Sequence, residues 1–93
     1  MGEFTVSIDA SVEHMRNLFG ERDAYIRKIE DDLGVMIVNR DGAVKISGGR
    51  DAVMKASHVV RELLTLSERG NTLEEQNVNY AIEMEHESDK DVL

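Results

Sequence analysis

The sequence lacks cysteine, long apolar runs and any excess of basic residues, and each absence excludes a class of protein. Without cysteine the chain has no disulfide framework and no thiolate metal site, which suits a reducing cytosol. The first twenty residues hold no apolar run of signal-peptide length, and no stretch approaches the ~20 apolar residues of a membrane span. Because a uniformly basic footprint for nucleic acid is also absent, we expect one small cytoplasmic domain with no membrane partner.

The net charge of −8 is concentrated at the C-terminal end of the 93-residue chain. Residues 1–70 carry ten Lys and Arg against twelve Asp and Glu, whereas residues 71–93 carry one Lys against seven acids. A run of acids with little apolar surface is typical of a solvated tail. We therefore expect residues 85–93 to form a poorly ordered acidic linker or tail.

Apolar spacing predicts a strand and two helices in the first part of the chain. Phe4, Val6 and Ile8 alternate with polar residues, as in a half-buried strand. A helix capped by Asp9 or Ser11 follows and ends at Gly20; it carries Val12, Met15, Leu18 and Phe19 at helical spacing. The next helix is predicted to have Asp23 as its N-cap and Gly34 at its end, with an inner face of Ile26, Ile29 and Leu33.

The rest of the sequence predicts a hairpin and two further helices. The apolar stretches VMIV and AVKIS are joined by Asp41-Gly42, a strong hairpin signal. A long helix then runs to Gly70 and presents an apolar stripe of Val53, Ala56, Val60, Leu63 and Leu64. Thr72 and Glu75 have the spacing of a capping box, which predicts a short helix through about Met84. We therefore divide the chain into a domain at 1–70, an appended helix at 71–84 and the acidic segment at 85–93.

These elements predict an α+β fold with one core. The residues expected to be buried in it are Phe4, Val6, Ile8, Ile26, Ile29, Val35, Ile37, Val44, Ile46, Val53, Ala56, Val60 and Leu63. The stretch VMIV also has an apolar second face, formed by Met36 and Val38. We expect the final helix to cover that face with Val78 and Ile82; the alternative is a docking surface for another domain or another copy.

The stretch LFGERDAYIRKIEDDLGVMI resembles the centre of a KH domain, in which a G-x-x-G loop joins two helices. Gly20 matches the first glycine of that loop and Gly34 the glycine before the next strand, while AVKISGGRDAVMKASHVVRELL is similar to the remaining strand and helix. The resemblance covers roughly residues 4–66. It implies the type I KH-like order β-α-α-β-β-α, with a three-stranded antiparallel sheet against helices, plus the extra C-terminal helix.

More narrowly, LFGERD together with the appended TLEEQNVNYAI helix resembles the N-terminal KH-like domain of the PhoH family, whose members are phosphate-starvation-inducible-type P-loop ATPases. No glycine in this chain is followed by lysine, so the phosphate-binding motif G-x-x-x-x-G-K-[ST] is absent. The resemblance implies a parent protein with an ATPase domain outside this chain. That domain would use ATP and magnesium, and a homo-oligomer could form through the parent. We expect no cofactor and no catalysis in this chain.

A KH loop lets backbone amides approach the phosphates of a single strand. The corresponding loop here has Asp23 in place of the second glycine and carries a formal charge of −1. Basic residues flank it, and residues 16–28 together carry +2. The candidate RNA-binding residues are Gly20, Glu21, Arg22, Asp23, Arg27, Lys28 and Arg40. Arg50 could border the same groove, and the open alternative is that these cations are ordinary solvated charges.

Two functions follow from the resemblance and the charges. The first is a weak or degenerate single-stranded RNA-binding module that serves a PhoH-type ATPase. The second is a regulatory module that keeps the KH fold and docks the ATPase domain or another subunit without binding RNA. The histidines have no ligand-spaced partners and no nucleophile motif is present, so metal and enzyme chemistry have no residues to support them.

Overall fold

The structure, a computed structural model, describes the backbone of residues 3–91 and the side chains of residues 3–87. Within residues 3–91, three strands and four helices follow one another. A short 3₁₀ turn, Glu21–Asp23, lies between the first two helices. The elements are β1 (Phe4–Asp9), α1 (Val12–Phe19), α2 (Ala24–Leu33), β2 (Met36–Arg40), β3 (Ala43–Gly48), α3 (Arg50–Glu68) and α4 (Glu75–Asp91).

The three strands form one antiparallel sheet in the order β1-β3-β2. Val6 lies opposite Ile46 on β3, and Ile46 in turn lies opposite Ile37 on β2, so these inward-facing residues form a row across the sheet. The α+β class and the three-stranded antiparallel sheet are therefore as predicted. The element order is that expected for a small KH-like domain with one added helix.

One face of the sheet is covered by helices, with α3 against β1 and β3 and α2 against β2. The predicted core is confirmed for eleven of its thirteen residues, which are Ile8, Ile26, Ile29, Val35, Ile37, Val44, Ile46, Val53, Ala56, Val60 and Leu63. Phe4 and Val6 are only half-buried and pack against the edge of this core. Val12 was predicted on the apolar face of α1 but is 73% exposed, because it stands in the first turn of the helix, beyond the buried Met15 and Leu18.

Local turn chemistry positions the elements as the sequence predicts. Ser11 caps α1 by accepting a hydrogen bond from the backbone N–H of His14 at 3.4 Å. Gly34 ends α2 in the left-handed conformation, with φ +69° and ψ +42°. Asp41 and Gly42 both have positive φ, as a tight two-residue hairpin turn requires.

The final helix does not cover the outer face of the sheet, so that prediction is wrong. Val78 and Ile82 are buried as expected, but α4 packs against α3 and α2. Met36 is 61% exposed and Val38 is also exposed, since they alternate to the face of β2 that points away from all the helices. α4 packs on α3 because α3 has buried residues on two sides. One side packs against the sheet, and α4 covers the other.

The start and length of α4 also differ from the prediction. Val78 N–H donates to the carbonyl of Glu74, and Glu74 N–H donates to Asn77 Oδ1 at 2.8 Å. Glu74 therefore precedes the first turn, and Thr72 does not form the predicted capping box. The helix continues past Met84 to Asp91, while Val92 and Leu93 lie outside the described residues.

Candidate functional site

The turn between α1 and α2 has an unusual backbone. Gly20 ends α1 with φ +77° and ψ 178°, a combination that is essentially restricted to glycine. Arg22 and Asp23 follow with φ +56° and +60°, in the left-handed region that costs a residue with a Cβ roughly 1–2 kcal/mol. Asp23 stands where the resemblance to a KH loop would call for a second glycine, and aspartate is among the few residues that tolerate this conformation. The turn thus keeps a glycine-like backbone without the second glycine.

Packing gives Gly20 a second reason to be glycine. A Cβ at this position would lie 2.6 Å from Cδ2 of Tyr25 and 2.8 Å from its Cγ. The Tyr25 ring therefore occupies the side of Gly20 on which a side chain would project. Tyr25 is itself fixed, because its hydroxyl donates a hydrogen bond to the carbonyl of Leu73 at 3.1 Å.

Asp23 was predicted to cap α2, and its position is the N-cap, but its side chain makes no capping hydrogen bond. Its left-handed backbone explains this, since a capping residue normally has the extended conformation that aims its side chain at the first helical amides. The carboxylate instead borders an open cleft.

This cleft lies between α1, the Gly20 turn and the β2–β3 hairpin, and we call it the hairpin cleft. Its volume is about 420 Å³. The lining residues are Ala10, Val12, Met15, Arg16, Phe19, Gly20, Asp23, Asn39 and Gly42. Apolar side chains supply much of this lining, and the charged groups are one guanidinium and one carboxylate. The formal charges of the cleft lining therefore cancel.

The β2 edge adds main-chain groups to the rim of the cleft. The N–H of Ile37 points away from β3, because it donates to Oε2 of Glu30 at 2.8 Å. Main-chain groups alternate in direction along an antiparallel strand, so the N–H and C=O of Asn39 point to the same outer edge. Asn39 also lines the cleft, which gives the rim both donors and acceptors.

The structure divides the candidate RNA-binding residues between two places. Gly20 and Asp23 line the hairpin cleft, whereas Glu21, Arg22, Arg27 and Lys28 line a separate cleft of about 540 Å³, which we call the α2 cleft. Its remaining residues are Ala24, Tyr25, Asp31, Asp32 and Glu75. Three cations therefore share the α2 cleft with four carboxylates, and they are not gathered into a row beside the hairpin cleft.

The other two cations also lie away from the cleft lining. Arg40 is exposed at the end of β2, and the alternation of the strand places it on the outer face with Met36 and Val38. Arg50 lies over the ring of Phe4, with its guanidinium carbon 5.5 Å from the ring centre. Phe4 pairs with Gly48 at the opposite end of the sheet from the hairpin turn, so the expectation that Arg50 borders the groove is wrong.

A polar network holds α1 in place behind the cleft. Asn17 Nδ2 donates to Oγ of Ser67 at 2.8 Å, and Asn17 Oδ1 accepts from the N–H of Leu73 at 3.0 Å. Nδ1 of His14 lies 2.7 Å from the same Ser67 hydroxyl, which is buried. These bonds join α1 to the end of α3 and to the loop before α4. The wall that carries Arg16 is therefore anchored to the rest of the fold.

Sequence reasoning missed three features of the candidate site. It did not place Asn39 in the hairpin cleft, did not single out Arg16, and did not foresee the left-handed backbone of Arg22 in the adjoining turn. The flanking charge around the loop had drawn attention to Arg16 only as one of several cations. The side of α1 on which it lies relative to the hairpin depends on tertiary packing.

The described residues offer no metal centre, since no group of three or more His, Asp or Glu side chains among them could hold an ion. Within the same part of the chain, none of the helices combines the length and the apolar character needed to cross a bilayer.

No protein-family model matches the chain. It is 32% identical over 68 residues to a PhoH-like protein of Bacillus subtilis (strain 168), a match that covers 73% of this chain. The chain spans only 21% of that relative. A crystal structure of a protein of unknown function from Aeropyrum pernix has the same fold over 95% of this chain and 49% of its own, with a TM-score of 0.69 and 18% sequence identity. The chain is thus similar to one segment of a PhoH-like protein.

Proposed function

We propose that this chain is a KH-like accessory module related to PhoH-type ATPases, and that its hairpin cleft binds single-stranded RNA weakly. The observation that carries the proposal is the strained turn at Gly20–Asp23, which borders a cleft with a largely apolar lining. Backbone strain of this kind persists where the surrounding structure holds it, and it concentrates at binding sites.

The chemistry of the cleft suits an unpaired base. Single-stranded nucleotides expose flat apolar faces and hydrogen-bonding edges at once. Met15 and Phe19 offer apolar contact, while Asn39 and the main-chain groups of the β2 edge offer hydrogen bonds. Arg16 is the cation that lines the cleft and is the group best placed to meet a phosphate.

The balanced charge of the cleft sets the expected strength. Each phosphate neutralised on a single strand contributes about −0.7 to the slope of log K against log salt. With Arg16 as the one cation in the lining and opposed by Asp23, we expect a slope no steeper than about −0.7 and dissociation constants in or above the micromolar range. Affinity would then come mainly from base contacts.

The relation to PhoH-like proteins supplies the wider context of the proposal. The parent protein would carry a P-loop ATPase domain that uses ATP and magnesium, would lie in the cytoplasm, and could form a homo-oligomer. The present chain would deliver or position single-stranded RNA for it. The match to a segment of the Bacillus relative supports this reading.

Fluorescence anisotropy with a labelled single-stranded RNA of about ten nucleotides, measured at two salt concentrations, tests the proposal. Asp23→Asn removes the carboxylate but keeps a residue that tolerates positive φ, and it should tighten binding several-fold. Arg16→Ala should weaken binding about tenfold, equivalent to ~1.4 kcal/mol.

Lys28→Ala provides the matched control, because it removes one positive charge from the α2 cleft and should change affinity much less than Arg16→Ala. Equal losses for the two variants would mean that the RNA responds to overall charge and would remove the hairpin cleft from consideration. Asp23→Asn without any measurable RNA binding would reject the RNA function and leave the docking alternative.

A further inference from the structure

The loop that joins α3 to α4, residues 69–74, contacts both walls of the hairpin cleft from behind, and we call it the α3–α4 loop. Its residues, all of which the structure describes, lie outside the lining of the cleft. The contacts centre on Leu73, whose side chain is buried in the hydrophobic core. The core thus holds the residue from which the loop reaches the cleft.

The main chain of Leu73 forms hydrogen bonds in two directions. Its N–H donates to Oδ1 of Asn17 at 3.0 Å, and its C=O accepts from the hydroxyl of Tyr25 at 3.1 Å. Asn17 belongs to α1 and Tyr25 to the first turn of α2, so one loop residue joins the two helices on either side of the Gly20 turn. The position of the loop therefore helps to set the separation of these helix ends.

On α1, Asn17 makes two further hydrogen bonds. Its Nδ2 donates to the carbonyl of Asn71 in the loop at 3.0 Å and to Oγ of Ser67 at 2.8 Å. Asn71 is fixed in turn, because its own Nδ2 donates to the carbonyl of Leu66 in the last turns of α3 at 3.0 Å. Asn17 directly follows Arg16, the cation in the cleft lining. The loop thus holds the helix that carries this cation.

On the turn, the contact passes through the ring of Tyr25. The ring stands where a side chain of Gly20 would project, with Cδ2 at 2.6 Å from the position of a Cβ. The N–H of Asp23 donates to the carbonyl of Gly20 at 3.3 Å and closes the turn. Because Arg22 and Asp23 have unfavourable positive φ, the turn depends on surrounding contacts to keep its shape. Tyr25, anchored at Leu73, supplies one of them.

A second cleft, of about 450 Å³, adjoins the hairpin cleft on the side of the loop. Arg16 and Gly20 line both clefts. Asn17, Tyr25 and Leu73 line the second cleft. The residues that bind the loop therefore lie directly behind the groups that face the hairpin cleft.

We propose that Tyr25 and Asn17 are positioning residues that couple the α3–α4 loop to the hairpin cleft, so that the cleft keeps its binding geometry while the loop is bonded to α1 and α2. The part of this proposal that concerns RNA rests on the proposed function. By linkage, RNA in the cleft stabilises the bonded loop by the same factor by which the bonded loop favours RNA. Displacement of the start of α4 would then lower RNA affinity without any contact to the cleft.

Amide hydrogen exchange of the RNA-free chain, measured by NMR, tests the coupling. Tyr25→Phe keeps the ring but removes the hydrogen bond to Leu73. We expect the N–H of Asp23 to exchange about three- to tenfold faster, the change that loss of one hydrogen bond produces. Ile29→Val is the control matched in stability, because losing one buried methylene destabilises the whole fold to a similar extent. It should leave exchange at Asp23 unchanged, since this exposed turn opens locally.

Fluorescence anisotropy with the labelled RNA of about ten nucleotides tests the effect on binding. Tyr25→Phe should bind about three- to tenfold more weakly than the wild-type chain, and Ile29→Val should bind as the wild type does. Saturating RNA should also slow exchange of the Leu73 N–H in the wild-type chain, although Leu73 lies outside the hairpin cleft. The same RNA should slow it less in Tyr25→Phe.

Circular dichroism establishes that each variant is folded. Unchanged exchange at Asp23 in Tyr25→Phe overturns the coupling, whether or not RNA binds. Unchanged RNA affinity in that variant, or an equal loss of affinity in Ile29→Val, overturns the positioning role. A wild-type chain that binds no RNA rejects the proposed function, and the exchange comparison alone then decides the coupling.

Discussion

One face of the sheet is buried under helices and the other is exposed, although strand β2 has apolar side chains on both faces. Ile37 is 4% exposed and packs under the helices, whereas its neighbours Met36 and Val38 point to the open side. Whether a residue is at an odd or an even position along the strand decides which face it lies on, because successive side chains alternate between faces. The difference teaches that an apolar strand does not by itself predict a second covering layer.

The helix that could have covered the outer face is α4, and it packs against α3 instead. α3 buries residues on one side against the sheet and also buries Val59, which lies outside the single stripe that spacing suggested. A helix with apolar residues over so wide an arc needs cover on two sides. α4 supplies the second side and leaves Met36 and Val38 exposed.

Removing α4 should destabilise the helix-covered side of the sheet, and it should have the largest effect on stability of any change. Truncation after Gly70 deletes the buried Leu73, Val78, Ala81 and Ile82. Leu73, Val78 and Ile82 each contribute about 1.5–3 kcal/mol when fully buried, against a total stability of roughly 5–15 kcal/mol for a small domain. We expect loss of cooperative unfolding, measured by urea titration with circular dichroism.

A shorter truncation after Glu87 is the control, since it keeps all of those buried residues and should unfold cooperatively. If the Gly70 truncation melted like the intact chain, α4 would be dispensable and the account of α3 as a two-sided helix would fail. In either truncation the exposure of Met36 should not change.

Ile29→Ala should produce the next largest effect. Ile29 is fully buried in α2 beneath the sheet, and its truncation leaves a cavity. We expect a loss of about 2–5 kcal/mol in the free energy of unfolding, from chemical denaturation. Arg27→Ala, on the exposed side of the same helix, should cost less than about 0.5 kcal/mol. Similar losses for the two would mean that the buried side of α2 is misassigned.

Gly20→Ala should destabilise the fold by about 2–3 kcal/mol, because it adds a strained backbone and a clash with the Tyr25 ring. Gly34→Ala is the matched comparison. It also forces a residue with a Cβ into the left-handed region, but the new Cβ meets nothing within 4 Å, so about 1 kcal/mol is expected. Thermal melts of the two variants measure the difference. Equal losses would show that backbone conformation alone requires Gly20.

The smallest effect is expected on the open face. Val38→Thr keeps a β-branched residue in the strand and should alter the free energy of unfolding by no more than about 0.5 kcal/mol. Ile37→Thr, one residue earlier, should cost several times more because it places a hydroxyl in the core. A large loss for Val38→Thr would indicate that something covers the outer face.

Much of the fold follows from local chemistry. Asp41-Gly42 specifies its turn through residues that accept positive φ, and Ile26 and Ile29 specify a helix face through their spacing. The location of α4 does not follow from local sequence in this way. It depends on which apolar surface, the outer face of the sheet or the second side of α3, buries more area when α4 covers it. The capping residue of α4 was misjudged for a related reason, because Asn77 offers Glu74 an alternative to the Thr72 box.

The candidate site was less predictable than the fold. Gly20 and Asp23 were found from a sequence pattern, and both border the hairpin cleft. The placement of Arg27 and Lys28 beside Asp31 and Asp32 depends on the rotation of α2 about its axis. Net charge over a sequence window therefore overstated the positive potential of the loop, because neighbours in sequence point into different clefts.

The hydrogen bond from Ile37 N–H to Glu30 bears on the colloidal behaviour of the molecule. β2 is an edge strand with exposed apolar side chains, the combination that promotes growth of sheets between molecules and aggregation. Glu30 occupies one of the outward main-chain donors and places a carboxylate at that edge. A strand from another molecule would have to displace this side chain to pair there. One glutamate on a neighbouring helix thus protects the edge strand whose side chains Met36 and Val38 are exposed.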